Sequence, residues 1–289
     1  MKTKSKVWLG VGAFVVVGTS AAGGAALLAG GNAAGPQAQI VPATDQAGMA
    51  AAATIVAQPA DHGKDAGEGG ETKDLANLPP DLAFAVRIAL LRGHLTIGDE
   101  LVRQQQWNAA LPHFLHPTEE IYGDIKDQLA DYNVPPFNAS LKALAAVVKA
   151  KKSNGYAQAL KSVNDALAAA DAGLRAKQAN WPGFAVEAAI ETLKAAANEY
   201  QQAIVGGRIA KPVEYQDARG FIWQADSMIA SVATELRKTD GAALSEMIAG
   251  LMELKKAFPS PMPPRAPVKD HAAVLALVSR IELTAGKLM

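Results

Sequence analysis

Apolar residues recur at helical spacing along most of the chain after residue 79. The pattern begins within 81–106 and continues after Asn108, where Pro117 suggests a bend and the start of a new helix. Further runs of the same kind lie near 139–152, 156–178, 184–205, 213–238, 242–258 and 271–287, separated by Gly, Pro or Asn. Amphipathic helices joined by short loops predict an all-α domain over 79–289, built as a helical bundle or a short solenoid.

Two stretches of this domain match at an offset of 100 residues. The Phe-Ala-Val tripeptide at 84–86 recurs at 184–186, and Pro112 recurs as Pro212. Self-similarity at a fixed offset predicts a duplicated helical unit, with coincidence as the alternative because Ala is common in this chain.

The first 78 residues have a different pattern. Lys2, Lys4 and Lys6 precede an uncharged stretch at 7–30, which is typical of a signal peptide and also long enough for a membrane anchor. We predict such a segment over 1–34 and a disordered Ala/Gly/Pro-rich linker over 35–78. The basic N-terminus then places the helical domain in the periplasm or another extracytoplasmic space, either released or anchored to the inner membrane, with membrane contact through this segment alone.

Charge and cysteine content narrow the chemistry. The 28 basic and 28 acidic residues balance, and no basic stripe follows any helix, which argues against nucleic-acid binding. The chain has no cysteine, so a metal site would have to use histidine, carboxylate or backbone oxygen ligands. Aromatic residues make up only 6% of the chain, which favours closely packed helices over a β-sandwich.

One cluster near the start of the domain has the residue types of a metal site. His113 and His116 are three positions apart and share a helical face, and Glu119 and Glu120 follow in the next turn. An antiparallel hairpin turning at 106–107 would bring His94 opposite them. Imidazoles with a carboxylate suit Fe²⁺, Zn²⁺ or Cu²⁺ better than Mg²⁺ or Ca²⁺. Second-sphere candidates are Asp99, Tyr122 and Asp124.

The second half lacks these ligand types at the matching positions, which indicates a site confined to the first half. The residues that stand there are Lys194, Val213, Gln216, Arg219 and Gly220. Helix capping and the helix dipole are the alternative explanation for each histidine and glutamate. The polar and aromatic stretch at 214–223 is open to three interpretations: a partner surface, the far wall of the site, or a buried helix with an ion pair.

Two short motifs resemble known families. The stretch 97–111, with Gly98, Trp107 and Ala110 at characteristic positions, resembles one tetratricopeptide hairpin. His116 followed by Glu119 is similar to the motif of imelysin-like exported helical proteins, although Phe114 and Pro117 depart from it. That resemblance implies a duplicated bundle that binds iron or another metal at the bacterial envelope.

These features together predict an exported envelope protein that binds a transition metal for uptake, handling or sensing, with a further envelope protein as a candidate partner. The alternative is a tetratricopeptide-like scaffold that binds a protein and no metal. The sequence contains no Gly-rich phosphate loop, nucleophile elbow or His-Glu-x-x-His helix, so we do not expect an enzyme.

Overall fold

The computed structural model describes residues 74–289, so the predicted export segment and nearly all of the predicted linker lie outside the described residues. The described part is almost entirely helical, which confirms the all-α prediction. The helices are α1 Pro80–Arg103, α2 Trp107–Ala110, α3 Pro112–His116, α4 Tyr122–Ile125, α5 Asn138–Lys149, α6 Tyr156–Lys177, α7 Trp181–Ala203, α8 Pro212–Ser231, α9 Ala233–Lys255 and α10 His271–Ala285. Within 74–289, no helix has both the length and the apolar character needed to cross a membrane.

The last four long helices form a bundle, and the first helix is attached to it. Helix α7 packs against α8 and α10, and α9 packs against α8 and α10. Helix α1 lies along both α7 and α8, with α3 and α6 also packed on it. Leu90, Leu101, Phe221 and Ile222 are fully buried, so the α1–α8 contact belongs to the continuous hydrophobic core. This is the helical bundle that the apolar periodicity predicted.

The helix bounds repeat at the offset seen in the sequence. Helices α1 and α7 end at Arg103 and Ala203, and α3 and α8 begin at Pro112 and Pro212. Proline in the first turn suits both starts, because that N–H has no partner in the helix. The two halves thus place corresponding helices at corresponding positions.

The predicted bend after His116 is wrong. Pro117 keeps helical backbone angles, with φ −52° and ψ −36°, and begins a π-helical turn at Pro117–Ile121. Because proline has no N–H, it cannot donate to the carbonyl four residues earlier, and the wider turn accommodates that loss. The chain therefore continues from α3 towards α4 without a corner.

Two other boundaries differ from the periodic pattern. The run predicted as one helix over 213–238 divides between α8 and α9 at Val232, whereas the predicted boundary between 238 and 242 coincides with a break in α9 at Asp240, where φ is −153° and ψ is 97°. The Asp240 carboxylate accepts hydrogen bonds from the N–H groups of Ala242 and Ala243, so it caps the segment that follows. A short antiparallel hairpin, β1 Ile204–Val205 with β2 Arg208–Ile209, replaces the predicted end of α7.

Candidate metal centre

The centre lies where α1 and α8 approach each other most closely. A methyl group added at Gly220 would lie 2.3 Å from the backbone oxygen of Gly93, and one added at Gly93 would lie 2.4 Å from the Phe221 ring. Only glycine allows two backbones this close. The approach places His94 of α1 beside Asp217 of α8, one turn before Gly220.

Asp217 is the hub of the centre. One of its oxygens, Oδ1, lies 2.6 Å from Nδ1 of His94 and 2.7 Å from Nδ1 of His113. The two histidines come from α1 and α3, and both are fully buried, as is nearly all of Asp217. A carboxylate oxygen accepts hydrogen bonds, so each imidazole donates from Nδ1 in the metal-free arrangement. Three helices from both halves thus meet at a single oxygen atom.

The second ring nitrogen of His113 contacts a neutral side chain. Its Nε2 lies 3.0 Å from Oε1 of Gln216, which precedes Asp217 on α8. The Gln216 amide in turn donates to the backbone oxygen of Pro261 at 3.1 Å. Both ring nitrogens of His113 therefore face oxygen acceptors.

His116 adds a third imidazole. Its Nδ1 lies 3.7 Å from the second oxygen of Asp217, and within the described residues that buried nitrogen makes no hydrogen bond. The ring is 8% exposed and lies edge-on to His94, with 5.4 Å between ring centroids. The negative charge of Glu120, in the π-helical turn, favours the protonated form of His116. His116 therefore places a third imidazole nitrogen beside Asp217.

The groups around Asp217 keep its carboxylate ionised. Burial alone would raise the pKa of Asp217, but the charges and hydrogen bonds of the surrounding imidazoles lower that pKa well below its ordinary value. Burial likewise disfavours the charged form of His116, but the interaction with Asp217 outweighs it and the pKa of His116 is raised above 6.5. The centre therefore places an ionised carboxylate oxygen beside several imidazole nitrogens.

This donor set fits a transition-metal ion. One ligand atom from each of His94, His113 and Asp217 lies within 4.8 Å of the other two. A tetrahedral shell with bonds of about 2.1 Å needs neighbouring ligand atoms roughly 3.4 Å apart. The present hydrogen bonds would have to open by about 0.7 Å to admit an ion. Nitrogen donors with one carboxylate oxygen suit iron, zinc or copper.

Glu119 does not join the centre. Its side chain is exposed and lines a surface groove beside α5, with Leu115 and Lys142. The π-helical turn that starts at Pro117 changes the spacing on which the prediction of Glu119 as a ligand relied. Glu120, by contrast, is close enough to act on His116 through its charge.

The three residues predicted to support the metal ligands contact other side chains. Asp99 accepts a hydrogen bond from Tyr156 and pairs with Arg103. Asp124 pairs with Arg87, and the Tyr122 ring packs edge-on against that of Phe137. The side chain that contacts the candidate ligand His113 from outside the donor set is Gln216, which was not among the predicted site residues.

The sequence prediction missed Asp217, and with it the residues that could hold a metal ion are not confined to the first half, as that prediction had inferred. Asp217 lies in the stretch 214–223, for which the far wall of the site was one of three interpretations. The signal for Asp217 was a buried polar run between aromatic residues, made up of Gln216, Asp217 and Arg219. The partners of Asp217 lie more than 100 residues away in sequence, so the run alone does not identify them.

Part of the chain is similar to a known protein family. Residues 175–289 match the model of the iron permease-associated 4-helix bundle domain. The match covers α7 to α10, the four helices that pack as a bundle, and includes Gln216 and Asp217. No match was found among curated proteins or solved structures.

The two resemblances drawn from short motifs are not supported. The matched family is the iron permease-associated bundle and not the imelysin-like one, and the residue that should have completed the imelysin-like motif, Glu119, faces away from the centre. Gly98 does pack closely, with Phe114 2.7 Å from an added methyl, but this contact lies in a helical bundle and outside the segment 175–289 that matches a family.

Proposed function

We propose that this protein binds a divalent transition metal at the centre formed by His94, His113, His116 and Asp217, and serves an iron permease as an accessory protein. The observation that carries the metal assignment is the convergence of two imidazole Nδ1 atoms on one buried carboxylate oxygen. Beside them lies a third buried imidazole nitrogen that makes no hydrogen bond to residues 74–289. Histidine and carboxylate ligands of this kind bind transition metals in bundle cores.

Iron is the first candidate for the bound ion. The similarity of 175–289 to an iron permease-associated domain supports it, and that segment supplies Asp217. The donor chemistry alone would also accept zinc or copper. We further propose that the helical domain acts outside the cytoplasm, next to the permease, because the basic and apolar stretch at 1–34 is typical of export or anchoring.

We propose binding and delivery of the ion rather than catalysis. The candidate centre is enclosed: His94 and His113 are fully buried, and His116 is the most exposed of its histidines. A buried, self-contained donor set suits capture and release of an ion, which needs no space for an organic substrate.

The deciding experiment is metal analysis of the full-length protein, purified without a histidine tag or chelator and titrated anaerobically with Fe²⁺, and separately with Zn²⁺ and Cu²⁺. We expect about one ion per chain, lost in the double variant His94→Gln/His113→Gln, because two nitrogen ligands are removed. The matched control His271→Gln changes a histidine at the start of α10, outside the centre, and should retain the ion.

Two results would overturn the proposal. One is the absence of bound metal in the wild-type protein with all three ions. The other is equal binding by the wild-type protein and the double variant. If zinc or copper binds and Fe²⁺ does not, the metal centre stands and the assignment to iron uptake is wrong.

A further inference from the structure

Gln216 is held in one orientation by the chain segment that follows α9. Its Nε2 donates to the backbone oxygen of Pro261 and lies 3.7 Å from the sulfur of Met262. The side chain is 1% exposed, so no solvent competes for these contacts. A carbonyl can only accept a hydrogen bond, so the amide nitrogen must face Pro261 and the amide oxygen must face His113.

The 258–262 strap, as we name this segment, is itself fixed by α8. Tyr215 donates from its hydroxyl to the backbone oxygen of Ser260 at 3.0 Å, and Arg219 donates to the backbone oxygen of Phe258. Together with Gln216, three side chains on two turns of α8 bind three carbonyls of the strap. The orientation of Gln216 is thus set by contacts between α8 and the strap.

We propose that Gln216 is the positioning residue of the metal centre, holding His113 in the tautomer that presents Nδ1 to the ion beside Asp217. This role rests on the proposed function. Oε1 of Gln216 accepts a hydrogen bond from Nε2 of His113, which requires the ring hydrogen on Nε2. In the metal-free arrangement Nδ1 also carries a proton, which it donates to Asp217. An ion that replaces this hydrogen bond displaces that proton to solvent and binds the lone pair of Nδ1.

This arrangement is the one that metal-binding histidines use. Their second ring nitrogen donates to a fixed acceptor, which sets the tautomer and the ring orientation, and removal of such a partner typically weakens metal binding about 10- to 100-fold. In this protein the acceptor is a neutral amide, supplied by the residue immediately before the carboxylate ligand. Gln216 and Asp217 therefore contact the two ring nitrogens of His113, one each.

Three variants of the full-length protein separate positioning from packing. Gln216→Met keeps the approximate volume and removes the acceptor. Gln216→Glu keeps an acceptor for His113 and loses the donor to Pro261. Tyr215→Phe is the matched control, because it removes a neighbouring hydrogen bond to the strap and leaves Gln216 intact. The probe is Zn²⁺, which is diamagnetic, with affinity measured by competition against a chromophoric chelator.

We expect Gln216→Met to weaken Zn²⁺ binding by about 10- to 100-fold, and Gln216→Glu and Tyr215→Phe to stay within roughly threefold of wild type. Long-range ¹⁵N correlation spectra of the Zn²⁺-loaded wild-type protein should show His113 bound through Nδ1 and protonated at Nε2. A structural role alone would not fix that tautomer.

The outcomes are distinct. No Zn²⁺ binding by the wild-type protein would remove the metal centre itself and the inference with it. Wild-type binding with no loss in Gln216→Met, an equal loss in Gln216→Glu, an equal loss in Tyr215→Phe, or His113 bound through Nε2 would each overturn the positioning role while leaving the centre in place.

Discussion

The two halves of the helical domain place corresponding helices at an offset of 100 residues, yet they use the corresponding positions differently. The residues that match at this offset are His94 with Lys194, His113 with Val213, and His116 with Gln216. The first member of each pair is a buried imidazole, whereas Lys194 is exposed and pairs with Glu191 and Glu282 on the surface.

The difference shows how two parts of one helical bundle can contribute unlike residues to one candidate site. The first half contributes nitrogen donors on α1 and α3, and the second half contributes the carboxylate and the positioning amide on α8. Helix α8 packs against α1 on one side and belongs to the α7–α10 bundle on the other. Its buried polar side chains are therefore shared between the bundle and the centre.

Removing the Asp217 carboxylate should have the largest effect on stability and on metal binding. Asp217→Asn leaves two buried imidazoles without their charged partner, so we expect a loss of about 3 kcal/mol in the free energy of unfolding and loss of the bound ion. Chemical denaturation and metal analysis measure the two effects. The control Asp226→Asn removes a partly exposed pair with Lys255, so its cost should remain below about 1 kcal/mol. Equal costs in the two variants would contradict the role of Asp217 as hub.

Separating the two helices should have the next largest effect. Gly220→Ala places a methyl group against the Gly93 backbone, which cannot move without shifting α1, and we expect a cost of about 1–3 kcal/mol together with weaker metal binding. Gly250→Ala is the control, because its methyl would meet the Ile281 side chain at 2.7 Å, and a side chain can shift more easily than a backbone. Unchanged metal affinity in Gly220→Ala would show that the close approach is not needed by the centre.

The ion pair between Glu100 and Arg219 offers a smaller test, since it also links α1 to α8 but lies outside the donor set. Arg219 donates two hydrogen bonds to Glu100, at 2.8 and 3.0 Å, and its guanidinium lies over the Trp223 ring. Glu100→Gln should cost about 1–2 kcal/mol, because the charged partner is lost and the other contacts of Arg219 remain. Metal affinity should stay within about twofold; a tenfold loss would place this pair in the centre.

The smallest effect is expected at the residue that the short motif singled out. Glu119 is exposed and lines the groove beside α5, so Glu119→Gln should change neither the free energy of unfolding by more than about 0.5 kcal/mol nor the metal affinity. Isothermal titration with Zn²⁺ provides the measurement, with His116→Gln as the variant expected to weaken binding. A strong loss in Glu119→Gln would mean that the π-helical turn rearranges around a bound ion.

The helical class followed from the sequence because it depends on local spacing. The apolar period, prolines in first turns such as Pro112 and Pro212, and short polar loops were enough to predict an all-α bundle. Val232 shows where such local rules stop: α8 ends at Ser231 and α9 begins at Ala233 within one apolar run, and no Gly, Pro or Asn marks that boundary.

The sequence by itself also determined half of the candidate centre, since His113 and His116 share a helical face through their spacing and a hairpin turn brings His94 towards them. Tertiary structure alone decided the other half. Asp217 reaches the histidines because Gly93 and Gly220 let two backbones meet across more than 120 residues of chain, and that meeting depends on packing that no local pattern encodes. Packing also turned Glu119 outwards and fixed Gln216 against the strap, because a side chain's partners are set by the helices around it.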